Sequence, residues 1–211
     1  MYAAEHGTGE RKAKAQEALA DYSGAMCRFL KDAISFGYDF LLVKAAGNES
    51  NDYWEEVSFD EDPFGYKKVG VEPDRSTTVC HARFDLLGAI EDPQVRSRIV
   101  MVGAARQDYT LPQLGGTGYD YAPFSVRGAD VYAPGQDVLS IAPGTTQTAV
   151  DSGTSFAAPI VTGVAGLIWA ANPELSAPQV KQILCACAGN PETLQAGERI
   201  TVVDAAAAVR A

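Results

Sequence analysis

The chain has 211 residues, of which 46% are hydrophobic and 21% are charged, a composition that fits one soluble globular domain or a large piece of one. Its formal net charge is -10 and its Lys and Arg residues are scattered, which argues against a nucleic-acid partner because a phosphate backbone needs a basic surface. No apolar run predicts a membrane span. Four cysteines without C-x-x-C spacing and only two histidines argue against a zinc site.

The N-terminal part of the chain divides into a polar segment and an apolar one. Residues 1–23 are rich in Ala, Lys and Glu without an apolar stripe, so we predict a polar tail or insert there, followed by a second unit over 24–211. From Ala25 to Ser35 apolar residues recur at three-and-four spacing, which predicts a helix. The apolar run from Phe40 to Val43 predicts a strand covered on both faces, as in a parallel sheet.

The middle of the chain alternates between irregular and strand-like sequence. An extra acidic segment at about 49–98 has no clear period and predicts an elaborated surface connection. Buried strands are predicted at 99–104 and 129–133, and a further strand is predicted at 137–142. Pro-Gly pairs follow the last two of these runs and predict turns.

Two longer helices are predicted toward the C-terminus. The first begins at or just after Ser155 and ends before Asn172-Pro173. Its predicted apolar face consists of Ile160, Val164, Leu167, Ile168 and Ala171. Ser176 and Gln179 form the pattern of a capping box and begin the second helix. Asp204 is placed to cap a short terminal helix.

The stretch Ser152 to Pro159 carries chemically informative residues. A serine where a glycine-bearing turn enters a helix has its hydroxyl near free backbone N–H groups and the positive end of the helix dipole, which stabilise developing negative charge. Small residues around Ser155 leave room for a substrate backbone. An ordinary Ser/Thr helix cap is the alternative interpretation of this stretch taken alone.

A second informative stretch, Val43 to Glu49, follows the first predicted strand. In an open parallel sheet, ligands and catalytic groups collect beyond the carboxyl ends of the strands. Asn48 occupies such an end, and its side-chain amide can donate a hydrogen bond to an oxyanion. The alternative is a turn residue, since Gly-Asn is common after strands.

Together, in this order, the two stretches resemble the subtilisin-like (S8) serine peptidases, in which Gly-Asn after an alanine-rich strand end supplies the oxyanion amide and Gly-Thr-Ser-x-Ala-x-Pro carries the nucleophile. The segments 99–106, 121–125 and 131–135 also resemble family motifs. The resemblance covers roughly residue 24 to the C-terminus, apart from the acidic segment. It implies an α/β fold, a partial subtilisin-like three-layer domain with a mostly parallel sheet flanked by helices.

The resemblance implies a role for each matching residue. Ser155 would be the nucleophile of a serine endopeptidase, and Asn48 with the backbone N–H of Ser155 would hold the oxyanion. Ala45, Ala46 and Gly47 would line one side of the substrate pocket. Gly153 and Thr154 would contact the substrate as well. The resemblance also implies a polypeptide substrate and favours a secreted or cell-envelope location.

The histidine and aspartate of the triad have no clear match. His6-Gly7-Thr8 is similar to the family's histidine motif, but the polar residues that follow it and the short distance to Asn48 favour a solvated terminal residue. His81 lies in the extra segment and is read as an ordinary histidine. We therefore expect the missing N-terminal part of the peptidase domain to act as partner, in cis or in trans, and the chain alone to be inactive. The alternative is a truncated, non-catalytic homologue that acts as a binding or complementing module.

No cofactor is required by the implied chemistry. Calcium binding by carboxylates of the acidic segment is a weaker expectation, because no D-x-D-x-D-G loop is present. No metal-binding residue is predicted.

Overall fold

The structure is a computed structural model that describes residues 1–72, 78–108, 118–189 and 200–211. Helix α1 (Tyr2–His6) and helix α2 (Gly9–Ser35) open the chain. The segment 1–23, predicted to be a polar tail or insert, is thus helical, and Ala3, Ala4 and Ala15 are buried beside Tyr66. Alanine, lysine and glutamate favour helix without needing a wide apolar stripe, which is why periodicity missed this part of α2. The division of the chain at residue 24 stays a prediction.

Strand β1 (Leu42–Ala45) leads into the acidic segment, which has structure of its own. Strands β2 (Asp52–Glu56) and β3 (Tyr66–Val71) form an antiparallel hairpin. A short helix, α3 (Pro93–Arg96), follows, and the side chain of Asp92 accepts hydrogen bonds from two backbone N–H groups of its first turn. The remaining elements are β4 (Ile99–Asp108), β5 (Gly118–Tyr121), β6 (Val131–Pro134), β7 (Val138–Ile141), β8 (Thr148–Asp151), α4 (Thr154–Ala171), α5 (Ala177–Ala186) and α6 (Ala205–Arg210).

Strand β4 is the centre of the main sheet. It pairs in parallel with β1 and with β6, in the registers Val43↔Val100 and Val102↔Val131, and its C-terminal half pairs antiparallel with β5. Alternate β4 side chains face opposite layers, as the pleat requires. Val100 and Val102 pack in a cluster with α4, while Met101 packs in a cluster that contains Leu30 of α2. The predicted α/β fold, with a sheet between two helical layers, is confirmed.

The predicted cover of the first strand on both faces is confirmed. Leu41 and Val43 pack against the cluster that contains α4, and Phe40 and Leu42 pack against the cluster that contains Leu30 of α2. All four residues of β1 are nevertheless partly exposed, and among the described residues no strand pairs with its outer edge.

The predicted apolar face of α4 is only partly buried. Helix α4 buries Val161 and Ile168, but Ile160 and Leu167, both predicted on its apolar face, are 37% and 54% exposed. One side of α4 therefore packs on the core, and apolar residues remain exposed on the other.

The sequence predicts no membrane span, but one helix of the structure, α4, is long and apolar enough to be a candidate. By length and composition alone it meets that requirement, with a mean hydropathy of 1.5 over 18 residues. Its contacts with β1, β4, β6, α5 and α6 are those of a helix packed on a sheet.

Candidate active site

Ser155 lies in the first turn of α4, at the edge of the sheet where the parallel strands β1 and β6, on either side of β4, have their carboxyl ends. Gly153 is the N-cap, and its N–H donates to Gly135 O at 2.7 Å, which fixes the turn against the Pro-Gly corner after β6. A Cβ on Gly135 would lie 2.6 Å from Ala104 Cβ, so this close approach requires glycine. The Ser155 side chain is exposed at the helix N-terminus, as predicted.

Asn48 lies beside this turn, immediately after β1. Its Oδ1 accepts hydrogen bonds from Thr154 N and Thr154 Oγ1, both at 2.9 Å. Because a backbone N–H can only donate, these bonds fix which end of the amide is oxygen and direct Nδ2 away from Thr154. A Cβ placed on Gly153 would lie 3.3 Å from Asn48 Nδ2 and 3.0 Å from Ser155 Oγ. The two polar atoms therefore border one small space.

This arrangement can stabilise negative charge. The side-chain amide of Asn48 and the first backbone N–H groups of α4 lie close to the hydroxyl of Ser155, which is exposed to solvent. Donors fixed before reaction stabilise an oxyanion without reorganising, which is the largest single contribution in many acyl transfers. Such an arrangement suits a reaction in which negative charge develops beside the Ser155 hydroxyl.

The predicted substrate-binding residues separate into two groups. Ala45 and Gly47 are partly exposed, and Gly47 has a φ of +119°, a conformation that favours glycine. Ala46 is fully buried among core residues, because its N–H donates to Val102 O and the ladder alternation turns its Cβ inward. The prediction that Ala46 lines the pocket is therefore wrong for its side chain.

Thr154 and Gly153 are likewise buried, so the rim offers little of either to a substrate. The Thr154 side chain instead holds its neighbours, since its hydroxyl donates to Asn48 Oδ1 and accepts from Gly47 N at 3.2 Å. This positioning function was missed from the sequence, where Thr154 was predicted to contact the substrate.

Both histidines lie elsewhere. His6 Nε2 is 2.9 Å from Val79 O, and His81 Nδ1 is 2.5 Å from a carboxylate oxygen of Glu5. Across the part of the chain that the structure describes, neither ring makes a hydrogen bond to Ser155. The described residues thus bring Ser155 and Asn48 together, with both histidines elsewhere.

Two buried groups behind Asn48 have raised pKa values. Burial raises the pKa of the Glu49 carboxyl, whose Oε2 has no hydrogen-bond partner among the described residues. Burial, reinforced by the Glu5 and Glu49 carboxylates, raises the pKa of the Cys80 thiol to about 12. Cys80 is therefore a neutral thiol at physiological pH and not a nucleophile.

Two carboxylates of the acidic segment, Asp52 and Asp62, each have a separate partner within the protein. Asp52 pairs with Lys68 at 2.7 Å, and Asp62 Oδ1 accepts from Phe64 N at 2.8 Å. The predicted calcium binding by this segment stays a prediction.

Comparison with known proteins supplies the family. The model of the subtilase family, Peptidase S8, matches residues 6–201. Subtilisin DY of Bacillus licheniformis is 43% identical over 89 residues, 41% of this chain and 32% of that protein. The cell wall-associated protease of Bacillus subtilis (strain 168) is 34% identical over 97 residues, 46% of this chain and 10% of that protein.

The serine protease AprX of the same organism is 33% identical over 116 residues, 45% of this chain and 26% of that protein. The chain thus spans about a third or less of the curated relatives it matches. The structure of a cold adapted subtilisin-like serine proteinase superposes with a TM-score of 0.49 at 20% identity, over 78% of this chain and 45% of that one. Since the family match covers nearly all of the chain and includes both the Asn48 and the Ser155 stretches, the chain belongs to the subtilase family of serine peptidases.

Proposed function

We propose that the chain carries the nucleophile and the oxyanion donors of a serine endopeptidase that cleaves polypeptides. Ser155 Oγ attacks the scissile carbonyl, and the tetrahedral oxyanion accepts hydrogen bonds from Asn48 Nδ2 and the Ser155 N–H. The leaving amine departs to give an acyl-enzyme on Ser155, which water then hydrolyses. The observation that carries this proposal is the common space bordered by Ser155 Oγ and Asn48 Nδ2.

The proposed substrate wall is smaller than the sequence predicted. Ala45 and Gly47, which are partly exposed after β1, flank the space beside Asn48. Gly153, though buried, adjoins the reacting atoms through its backbone. Ala45 and Gly47 are small, so the wall they form accepts a sizeable substrate side chain.

The base and its carboxylate come from a segment outside residues 1–211, the N-terminal part of a peptidase domain, in cis or in trans. A serine hydroxyl is a weak nucleophile until a base removes its proton. Two features support a docking partner of this kind: the outer edge of β1, which no strand of the described residues pairs with, and the exposed apolar face of α4. On this proposal, residues 1–211 alone are inactive.

A complementing, non-catalytic homologue is the second candidate. The β1 edge and the α4 face suit a module that binds another chain equally well. A secreted or cell-envelope location is proposed for either candidate from the family relationship, and neither needs a cofactor for its chemistry.

The coding region upstream of Met1 tests the proposal. We expect it to encode a strand ending in Asp-x-Gly and a His-Gly-x-His motif in frame with the chain. The longer product should hydrolyse a denatured protein substrate, and its S155A variant should not. A stop codon directly before Met1, together with no increase in hydrolysis when the chain is mixed with its host's other subtilases, would favour a non-catalytic binding module.

A further inference from the structure

On the far side of Asn48, three metal-ligating side chains from distant parts of the sequence converge. A carboxylate oxygen of Glu5, a ring nitrogen of His6 and Cys80 Sγ all lie within 4.8 Å of one another. The first two end α1, and the third follows the β2–β3 hairpin. We propose that these residues form a Zn²⁺ site, independent of the peptidase proposal, with water in the fourth position.

The donor set selects the metal. Zn²⁺ takes imidazole nitrogen, thiolate sulfur and carboxylate oxygen in tetrahedral geometry, whereas Ca²⁺ and Mg²⁺ prefer oxygen alone. Metal–ligand distances of about 2.0 to 2.3 Å place ligand atoms roughly 3.5 Å apart. The cluster therefore has to contract by about 1 Å, which rotations of the Glu5 and His6 side chains can supply.

The ligands are already oriented by their neighbours. His81 holds both oxygens of Glu5, with its ring Nδ1 at 2.5 Å from Oε1 and its backbone N–H donating to Oε2 at 2.8 Å. Glu5 Oε2 in turn lies 3.8 Å from His6 Nε2. A histidine that orients a ligating carboxylate is a common outer partner of a metal site.

Cys80 is fixed on both sides of its peptide unit. Its N–H donates to Ser50 Oγ at 3.3 Å, and its carbonyl accepts from Arg127 N at 2.7 Å. The residue is fully buried, which protects the sulfur from oxidation by solvent species. Cys80 therefore presents its sulfur to the cluster from a rigid part of the core.

The negative charge of the carboxylates near Cys80 favours binding of a cation between Glu5, His6 and Cys80. The Glu5 side chain is 9% exposed, and Cys80 Sγ lies 4.0 Å from the backbone carbonyl oxygen of Glu49. The Glu5 and Glu49 carboxylates both act on the Cys80 sulfur with negative charge. Binding displaces the Cys80 thiol proton to solvent. It also moves the His6 ring proton from Nε2 to Nδ1, which ends the hydrogen bond to Val79 O. The occupied site balances one Zn²⁺ against the charges of one thiolate and one carboxylate.

The ion would join α1 to the segment behind the Asn48 turn. Cys80 is linked through Ser50 to the residues that follow Asn48, and His6 adjoins the long helix α2. Because His6 and Cys80 come together only in the folded chain, Zn²⁺ bound between them stabilises the folded state.

Cobalt substitution tests the site directly, with Co²⁺ and Zn²⁺ as the probes and the tag-free chain as the protein. Equimolar Co²⁺ should produce a thiolate-to-metal charge-transfer band and the visible bands of a tetrahedral ion, and equimolar Zn²⁺ should abolish both. C80S should lose the charge-transfer band, while C185S, which alters a cysteine of α5, should keep it. Absence of the band from the unaltered chain, or its persistence in C80S, would overturn the proposal.

Affinity measurements separate the ligands from their outer partner. In competition with a chromophoric chelator, H81N should bind Zn²⁺ about 10 to 100-fold more weakly, because it loses an outer partner, and H6N and E5Q, which lose a direct ligand, should bind it more weakly than H81N does. The His6 side chain is 31% exposed, so H6N folds even if C80S does not, as far-UV circular dichroism will verify. Unchanged Zn²⁺ affinity in folded H6N would contradict the assignment.

Discussion

Strands β1 and β4 have the same kind of sequence and different environments. The first four residues of β4 are fully buried, whereas all four residues of β1 are partly exposed. The difference lies in their neighbours, since β4 has a parallel strand on each side and β1 has one on a single side among the described residues. An apolar run therefore indicates the environment for which a strand is suited, and the edge of β1 that is open among the described residues suits a further strand.

The two faces of α4 repeat this contrast on the helix that bears Ser155. Val161 and Ile168 are buried against the sheet, while Ile160 and Leu167 are exposed. A Cβ added at Gly163 or Gly166 would have no atom of another described element within 4 Å. A helix that is apolar all round is normally buried all round. The exposed face belongs to the nucleophile's own helix, so a partner that covers it is well placed to bring a base to Ser155.

The largest expected effects concern the two residues that the rim brings together. In the active, complemented peptidase, S155A should lower kcat by roughly 10⁴-fold or more. N48A should lower kcat by roughly 10² to 10³-fold with little change in KM, because its amide binds the oxyanion and not the ground state; this magnitude comes from subtilisin itself. Steady-state kinetics on a peptide substrate measures both. Equal losses in kcat and in substrate affinity for N48A would contradict the oxyanion role.

The contributions of the buried and the exposed face of α4 to stability can be compared with alanine substitutions at the adjacent residues Ile168 and Leu167. Ile168→Ala should lower the free energy of unfolding of the chain by about 2 to 5 kcal/mol, since it removes a buried side chain from the core. Leu167→Ala, on the exposed face, should change it by about 0.5 kcal/mol or less. Urea unfolding followed by circular dichroism measures both values.

The Leu167→Ala variant also tests whether the exposed face of α4 binds the complementing segment. Leu167→Ala should then weaken association or lower the stability of the complex, because the partner buries that face. A Leu167→Ala variant that is neutral in the complex as well would mean that α4 is not the docking face.

The fold was largely predictable where local signals were strong. The capping box of Ser176 and Gln179 is formed as predicted, and Asp204 accepts from the N–H of Ala207 at the start of α6. Helix α4 begins within one residue of its predicted start. These features depend on residues a few positions apart, which a sequence displays directly.

Features that depend on distant residues could not be read in the same way. The anchoring of Asn48 by Thr154 joins residues 106 positions apart, and nothing in either local motif shows it. The inward turn of Ala46 follows from its ladder bond to Val102. The cluster of Glu5, His6 and Cys80 likewise needs the tertiary fold, which is why the sequence argued against a zinc site.

The smallest expected effect lies behind Asn48, at Glu49. Its raised pKa means that the folded state binds the Glu49 proton more tightly than the unfolded state does. The destabilisation of the folded state by ionised Glu49 is therefore absent below the ordinary pKa of 4.5, grows as the pH rises from there to the raised pKa of the folded state, and is constant above it. Glu49→Gln should stabilise the chain on the order of 1 kcal/mol at pH 7 and not at pH 4. Thermal unfolding at the two pH values measures this, with Glu55→Gln, an exposed residue of β2, as control.

The reactivity of Ser155 in the chain alone tests the central claim most directly. Residues 1–211 should react with a fluorophosphonate serine probe no faster than their S155A variant, as measured by intact mass over time. This follows because the nucleophile and its oxyanion donors are present while the base comes from another segment. Rapid, stoichiometric labelling at Ser155 would contradict the account and would place a functional base, His6 or His81, within the chain itself.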